Sequence, residues 1–190
     1  MNRKPFFLIL FISICFVNHL EAQDNRSAGA TENATTTVFL VRHAEKVDES
    51  SDPELTSAGK ERAQELAYVL SNVKLDAVYD TPFIRTRDTA KPTADNQGLK
   101  AETIHSLRLE DLKSFVELAL EKYKGGTILF VSHSNIVPAL IKIIKQEELT
   151  VSRSEYMNDQ AYDDLIVVSY ETRDNVRILN LKYGKRTPIR

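Results

Sequence analysis

The sequence predicts an α/β fold: a three-layer sandwich with a mostly parallel central sheet, helices on both faces and an antiparallel hairpin at the C-terminal edge. Two observations carry that expectation. Between Thr35 and Ile144, short apolar runs alternate with segments of helical periodicity, the mark of βαβ units. After residue 160 the helical segments stop, and two β-branched runs flank a polar turn.

The elements follow in order. TTTVFLV at 35–41 is β-branched and apolar and stops at a charged cluster, like a buried parallel strand. Over Thr56–Leu70, Ala63, Leu66, Ala67 and Leu70 recur at helical spacing, with Thr56 as N-cap. Leu75–Tyr79 reads as a strand, followed by a turn at Thr81-Pro82 and a helix beginning near Arg85. Ala101–Ile104 is a short third strand. Leu112, Phe115, Val116, Leu118, Ala119 and Leu120 mark a helix that ends at Gly125-Gly126. The most apolar strand, TILFV at 127–131, leads into an apolar helix over Asn135–Ile144. Asp164–Tyr170 and Val176–Leu181 form the hairpin around 171–175.

The N-terminus reads differently. Arg3 and Lys4 precede an apolar stretch over Phe6–Val17, and Ala22 offers a small residue before Gln23. That order describes a secretory signal peptide over 1–22. The apolar stretch falls short of the roughly 20 residues that span a bilayer. Secretion or a periplasmic location follows, with no stable membrane insertion after cleavage; an uncleaved N-terminal anchor is the alternative. Residues 23–34 are small and polar and read as a flexible leader, leaving 35–190 as one domain. The leader carries two glycosylation-type triplets, at Asn25 and Asn33, which are common by chance. The only cysteine, Cys15, is lost with the signal, which excludes thiol chemistry in the mature chain.

The whole sequence carries a formal net charge of −2, so nothing in the overall charge favours nucleic acid or an anionic membrane. An anionic ligand needs a local cluster of cations. One is available, because ligands of parallel sheets sit at the carboxyl ends of the strands. Arg42-His43-Ala44-Glu45-Lys46 closes the first strand and Ser132-His133-Ser134-Asn135 closes the most apolar one. Arg85 follows the second strand. If the two His-bearing strands are neighbours, His43, His133, Arg42 and Arg85 converge on one mouth. His105 follows a short strand without charged company and reads as an ordinary histidine.

Two histidines and two arginines suit a phosphate. Arginine grips phosphate oxygens through its planar fork. A neutral imidazole can attack phosphorus, and a second can stabilise the charge that develops on a non-bridging oxygen. Neither a Gly-rich phosphate loop nor its lysine is present. A metal site would need His43, His133 and a carboxylate such as Glu45, with Arg42 and Arg85 repelling the cation. No cofactor is expected.

These residues resemble the histidine phosphatase superfamily, the group that includes the phosphoglycerate mutases. Arg42-His43-Ala44-Glu45 is similar to its RHG-type signature, 55–63 (LTSAGKERA) to its LTxxGxxQA segment, 81–90 (TPFIRTRDTA) to SPxxRTxxTA, and 131–135 (VSHSN) to its second-histidine segment. The likeness covers roughly residues 38–144. Ala44 and Ser132 stand where glycine is usual, and both are small. The resemblance implies His43 as the phosphorylated nucleophile, with Arg42, Arg85 and His133 holding the phosphoryl group. It also points to Glu110 as the acid, with Asp111 or Glu45 as alternatives, a role that requires a carboxyl near the leaving oxygen. Glu110 and Asp111 equally suit a helix start, where the dipole favours acidic residues. Glu45, Lys46 and Asn135 are candidate substrate contacts; Glu45 and Lys46 read equally well as solvated loop charges.

The leading expectation is therefore a phosphomonoester hydrolase acting on a small phosphorylated substrate. A phosphoglycerate mutase-like transferase and a non-catalytic phosphate-binding module are the alternatives. The signal peptide and the short Thr89–Thr127 segment speak against the transferase. Nothing in the sequence names the substrate or the oligomeric state.

Overall fold

The computed structural model describes residues 34–187 apart from Arg173. The signal peptide, Cys15, the asparagines of both glycosylation-type triplets and all of the leader but Ala34 lie outside the described residues. In chain order the elements are β1 (Thr36–Arg42), α1 (Ser57–Val69), β2 (Ala77–Asp80), α2 (Ile84–Asn96), β3 (Glu102–Thr103), α3 (Leu109–Lys122), β4 (Thr127–Ser132), α4 (Ile136–Ile144), β5 (Asp164–Thr172) and β6 (Asn175–Lys182). One 3₁₀ turn lies over Arg153–Glu155. No helix among the described residues is long and apolar enough to cross a membrane.

The six strands form one sheet in the order β3-β2-β4-β1-β5-β6. β1, β2, β3 and β4 run parallel, β5 is antiparallel to β1, and β6 is antiparallel to β5. The expected mostly parallel sheet with an antiparallel C-terminal edge is what the chain builds. Strand alternation divides the core in two. Val38, Leu40, Ile128 and Phe130 pack under α3 and α4, whereas Phe39, Val41, Leu129 and Val131 face α1 and α2.

Register decides where the site falls. Arg42 pairs with Ser132, so β1 and β4 end level and side by side. His43 N–H then donates to Ser132 O at 2.8 Å, extending the pairing by one step. Both histidines thus leave the sheet at the same edge.

Two local details support this. The Thr56 hydroxyl caps α1 by accepting from Gly59 N–H at 2.9 Å, as its position predicts. A Cβ at Gly59 would stand 2.3 Å from Glu45 O, so only glycine lets α1 lie against the segment after His43. α2 has a buried face of Thr86, Thr89, Ala90, Thr93 and Ala94 and carries Pro92 inside it.

Candidate active site

His43 is 3% exposed. Its Nδ1 lies 2.8 Å from Ala44 O. A carbonyl can only accept, so Nδ1 carries the proton and Nε2 of the neutral ring keeps its lone pair. Burial pulls the His43 pKa down to about 3, outweighing the bond to Ala44; Arg42, His133 and Arg85 push it the same way. The His133 ring stands 5.4 Å away, edge-on. Burial, Arg85 and Arg42 hold its pKa down at about 4.

α2 and the turn before it fix this pair. Thr81 Oγ1 lies 2.9 Å from His133 Nε2 and 2.8 Å from Thr86 Oγ1. The Thr86 hydroxyl also reaches the carbonyls of Thr81 and Phe83, so the three groups are tied to the turn backbone. Thr89 accepts from Ala44 N–H at 2.9 Å and donates to Arg85 O at 2.7 Å. One hydroxyl thereby links the segment after His43 to the residue bearing the second guanidinium.

Each arginine is anchored on one side only. Arg42, 5% exposed, donates from Nη1 to Asp159 O at 2.5 Å and to Asn158 O at 3.4 Å. Its Nη2 lies 3.8 Å from the Asp159 carboxylate. Arg85 donates from Nη1 to Ser51 O at 3.3 Å, lies 3.7 Å from the Asp52 carboxylate, and stacks on Phe83. The Nε of both arginines is buried and has no acceptor among the described residues. Buried donors normally have partners, and these two lack one among the described residues. A cleft of about 410 Å³ opens beside Arg85, lined by His43, Lys46, Arg85, His133, Ser134 and Asn135 with Phe83, Leu107 and Ile136 as its apolar wall; Arg42 is not among its lining residues.

The structure therefore brings together His43, His133, Arg42, Arg85 and Asn135. Lys46 also lines the cleft, already paired with Glu49. Two of the sequence candidates stand apart from this group. Glu45 is turned away, because Arg62 grips both of its carboxylate oxygens, Nε at 3.0 Å from each and Nη2 at 2.7 Å from one. Glu110 is exposed in the first turn of α3 and is not among the residues lining the cleft. Its side chain contacts none of the four His and Arg groups among the described residues. Asp111, the neighbouring carboxylate, accepts from the Ser106 hydroxyl at 2.6 Å, a helix-start role. No group of three or more His, Cys, Asp or Glu side chains that could hold a metal occurs among the described residues.

Sequence reasoning missed Arg62, Thr81, Thr89 and the Asn158–Tyr162 segment. Arg62 had a usable signal: it lies four residues before Leu66, on the face of α1 that is otherwise apolar.

The two lowered histidine pKa values make stability depend on pH. In the unfolded chain both rings protonate near the ordinary value of 6.5, and in the native protein only near 3 and 4. Between those limits the unfolded state binds more protons, so stability falls as pH falls through that window and is unaffected above it. The unfolding free energy read from urea titrations is expected to drop between pH 7 and pH 4.5, by on the order of a few kcal/mol, with the midpoint falling accordingly. A midpoint that stays flat over that range would contradict the neutral, buried pair.

The site is thus a pair of histidines and a pair of arginines at the carboxyl edge of the parallel strands of an α/β sheet. Residues 38–110 match the sequence profile of the histidine phosphatase superfamily, branch 1. The matched segment includes Arg42, His43 and Arg85; His133 lies beyond it. Phosphoserine phosphatase 1 of Hydrogenobacter thermophilus is 34% identical over 45% of this chain, and the match spans 46% of that protein. Among solved structures, a mycobacterial glucosyl-3-phosphoglycerate phosphatase is 13% identical with a TM-score of 0.63, covering 78% of this chain and 98% of its own. The protein histidine phosphatase SixA in complex with tungstate is 20% identical with a TM-score of 0.58, covering 77% and 96%. At these identities the two structures are similar in fold.

Proposed function

We propose that the chain is a phosphomonoester hydrolase that works through a phosphohistidine on His43. The observation that carries this reading is the pair of buried guanidinium Nε donors without an acceptor among the described residues, beside two neutral imidazoles. Arg42, Arg85 and His133 hold the phosphoryl oxygens. The His43 Nε2 lone pair attacks phosphorus; the N–P bond forms as the P–O ester bond breaks, and the departing oxygen takes up a proton. Water then adds to phosphorus, the N–P bond breaks, and inorganic phosphate leaves with His43 neutral again. Burial serves this scheme directly, since it keeps the nucleophile unprotonated across the physiological range. The phosphatases among its relatives, including phosphoserine phosphatase 1, support the same reaction class.

The test is hydrolysis of p-nitrophenyl phosphate by the purified chain, with trapping of an acid-labile phosphoryl group on His43. Chelator treatment is expected to leave the rate unchanged, since Arg42 and Arg85 oppose a bound divalent cation. Absence of turnover with every phosphomonoester in a broad panel would sink the reading, and restoration of a chelator-sensitive rate by zinc or magnesium would replace it. The Arg3-to-Ala22 pattern supports export, which a mature N-terminus at Gln23, read by mass, would test.

The exposed position of Glu110 gives a separate expectation. Glu110→Gln is expected to change hydrolysis of an alkyl phosphate by less than about twofold. A donor to the leaving oxygen contributes about 10²–10⁴-fold. A loss of that size, confined to alkyl phosphates and sparing p-nitrophenyl phosphate, would make Glu110 the acid.

A further inference from the structure

We propose that Tyr162 is a positioning residue for the phosphate clamp, its ring forming the platform that holds the Arg42 guanidinium with the Nε edge free for the oxyanion. This inference rests on the phosphatase reading above. The Arg42 guanidinium carbon lies 4.3 Å from the centroid of the Tyr162 ring, a cation–π distance. Nη1 is held by the carbonyls of Asn158 and Asp159, and Nη2 faces the Asp159 carboxylate. Nη1 is thereby committed to the Asn158–Asp159 carbonyls, whereas the buried Nε has no acceptor among the described residues. The ring fixes the plane in which that fork lies. It also stands 6.1 Å from the His43 ring, so one side chain borders both the nucleophile and its neighbouring arginine.

The platform is itself fixed from the C-terminal end of the chain. Tyr162 N–H donates to Thr187 Oγ1 at 3.3 Å. The Asp163 carboxylate accepts from Lys182 Nζ at 3.1 Å and from Thr187 N–H at 3.3 Å. Tyr183 N–H donates to Asp163 O at 3.0 Å. Arg62, the partner of Glu45, donates to the carbonyls of Tyr183 and Lys185. A continuous set of contacts thus runs from Glu45, two residues past His43, around the C-terminal segment and back to Arg42.

The experiment measures binding of inorganic tungstate, a tetrahedral oxyanion, beside p-nitrophenyl phosphate kinetics. Tyr162→Leu keeps apolar bulk and loses the π face; its tungstate Kd is expected to rise about tenfold, the scale of a partly desolvated cation–π contact, with KM rising in parallel. Tyr162→Phe keeps the face, and its Kd is expected to stay within about threefold of the wild type. In an Arg42→Ala background, Tyr162→Leu is expected to add less than about twofold, because the ring acts through that arginine. If the leucine variant does not fold, Tyr162→Met, also without a π face, carries the same expectation. A wild-type Kd in the leucine variant, an equal loss in the phenylalanine variant, or additive losses with Arg42→Ala would each overturn the platform. A wild-type chain that neither binds tungstate nor hydrolyses the aryl ester would overturn the phosphatase reading itself, which separates the two failures.

Discussion

His43→Ala is expected to cut p-nitrophenyl phosphate turnover by at least about 10⁴-fold, the scale of losing a nucleophile from a set of residues that act together. The ring is buried, its Nδ1 proton is committed to Ala44 O, and Nε2 is the nitrogen left with a lone pair. Neither arginine can replace that lone pair. The variant is expected to fold, at a cost of about 1–2 kcal/mol near pH 7 from the vacated volume and the unpaired Ala44 carbonyl. A second readout tests the same assignment independently of rate. The alanine variant lacks a group whose native pKa sits near 3 and whose unfolded value is about 6.5. Its stability should therefore fall less steeply than the wild type's as pH drops through that window. Turnover within tenfold of the wild type would remove His43 as nucleophile. An unchanged acid slope would mean that the imidazole is not held neutral by burial.

Much of this site was legible because its chemistry is tied to strand ends. The TTTVFLV and TILFV runs could be read as buried strands, and each stops at a histidine. Placing the two side by side needed the pairing of Arg42 with Ser132, which no periodicity encodes. α2 was readable only at its start, since its inward face is built largely from threonines that bond to the turn and to Ala44. Polar residues in that role look like a solvated helix. The contribution of Asn158 and Asp159 to Arg42 was hidden more deeply, because backbone carbonyls hold its Nη1 and every residue type supplies one. Glu45 misled for a related reason. Its closeness to His43 in sequence suggested a substrate contact, whereas its carboxylate is spent on an arginine 17 residues later.

That arginine carries the largest stability effect expected outside the cleft. Arg62 is 4% exposed and Glu45 22%, so the pair is largely withdrawn from water. Four contacts join on one guanidinium: the Glu45 carboxylate, Tyr183 O at 3.0 Å, Lys185 O at 2.8 Å and Thr187 Oγ1 at 3.3 Å. Arg62→Met fills similar volume but leaves the carboxylate without its counter-charge and two carbonyls without a donor. Breaking one partner of a buried pair costs about 3–5 kcal/mol, much of it from the stranded charge. We expect about 3 kcal/mol for Arg62→Met by urea unfolding, at the lower end because Glu45 retains some water contact. The double variant Arg62→Met, Glu45→Gln strands no charge and is expected to recover more than half of that loss. Lysine at 62 supplies charge without the planar fork, so it should fall between the wild type and methionine. Because Arg62 also holds the segment that steadies Tyr162, the folded Arg62→Met protein should show a raised KM for p-nitrophenyl phosphate. A loss below about 1 kcal/mol, the range of exposed ion pairs, would mean that water already compensates Glu45 and that the C-terminal segment is held without this arginine.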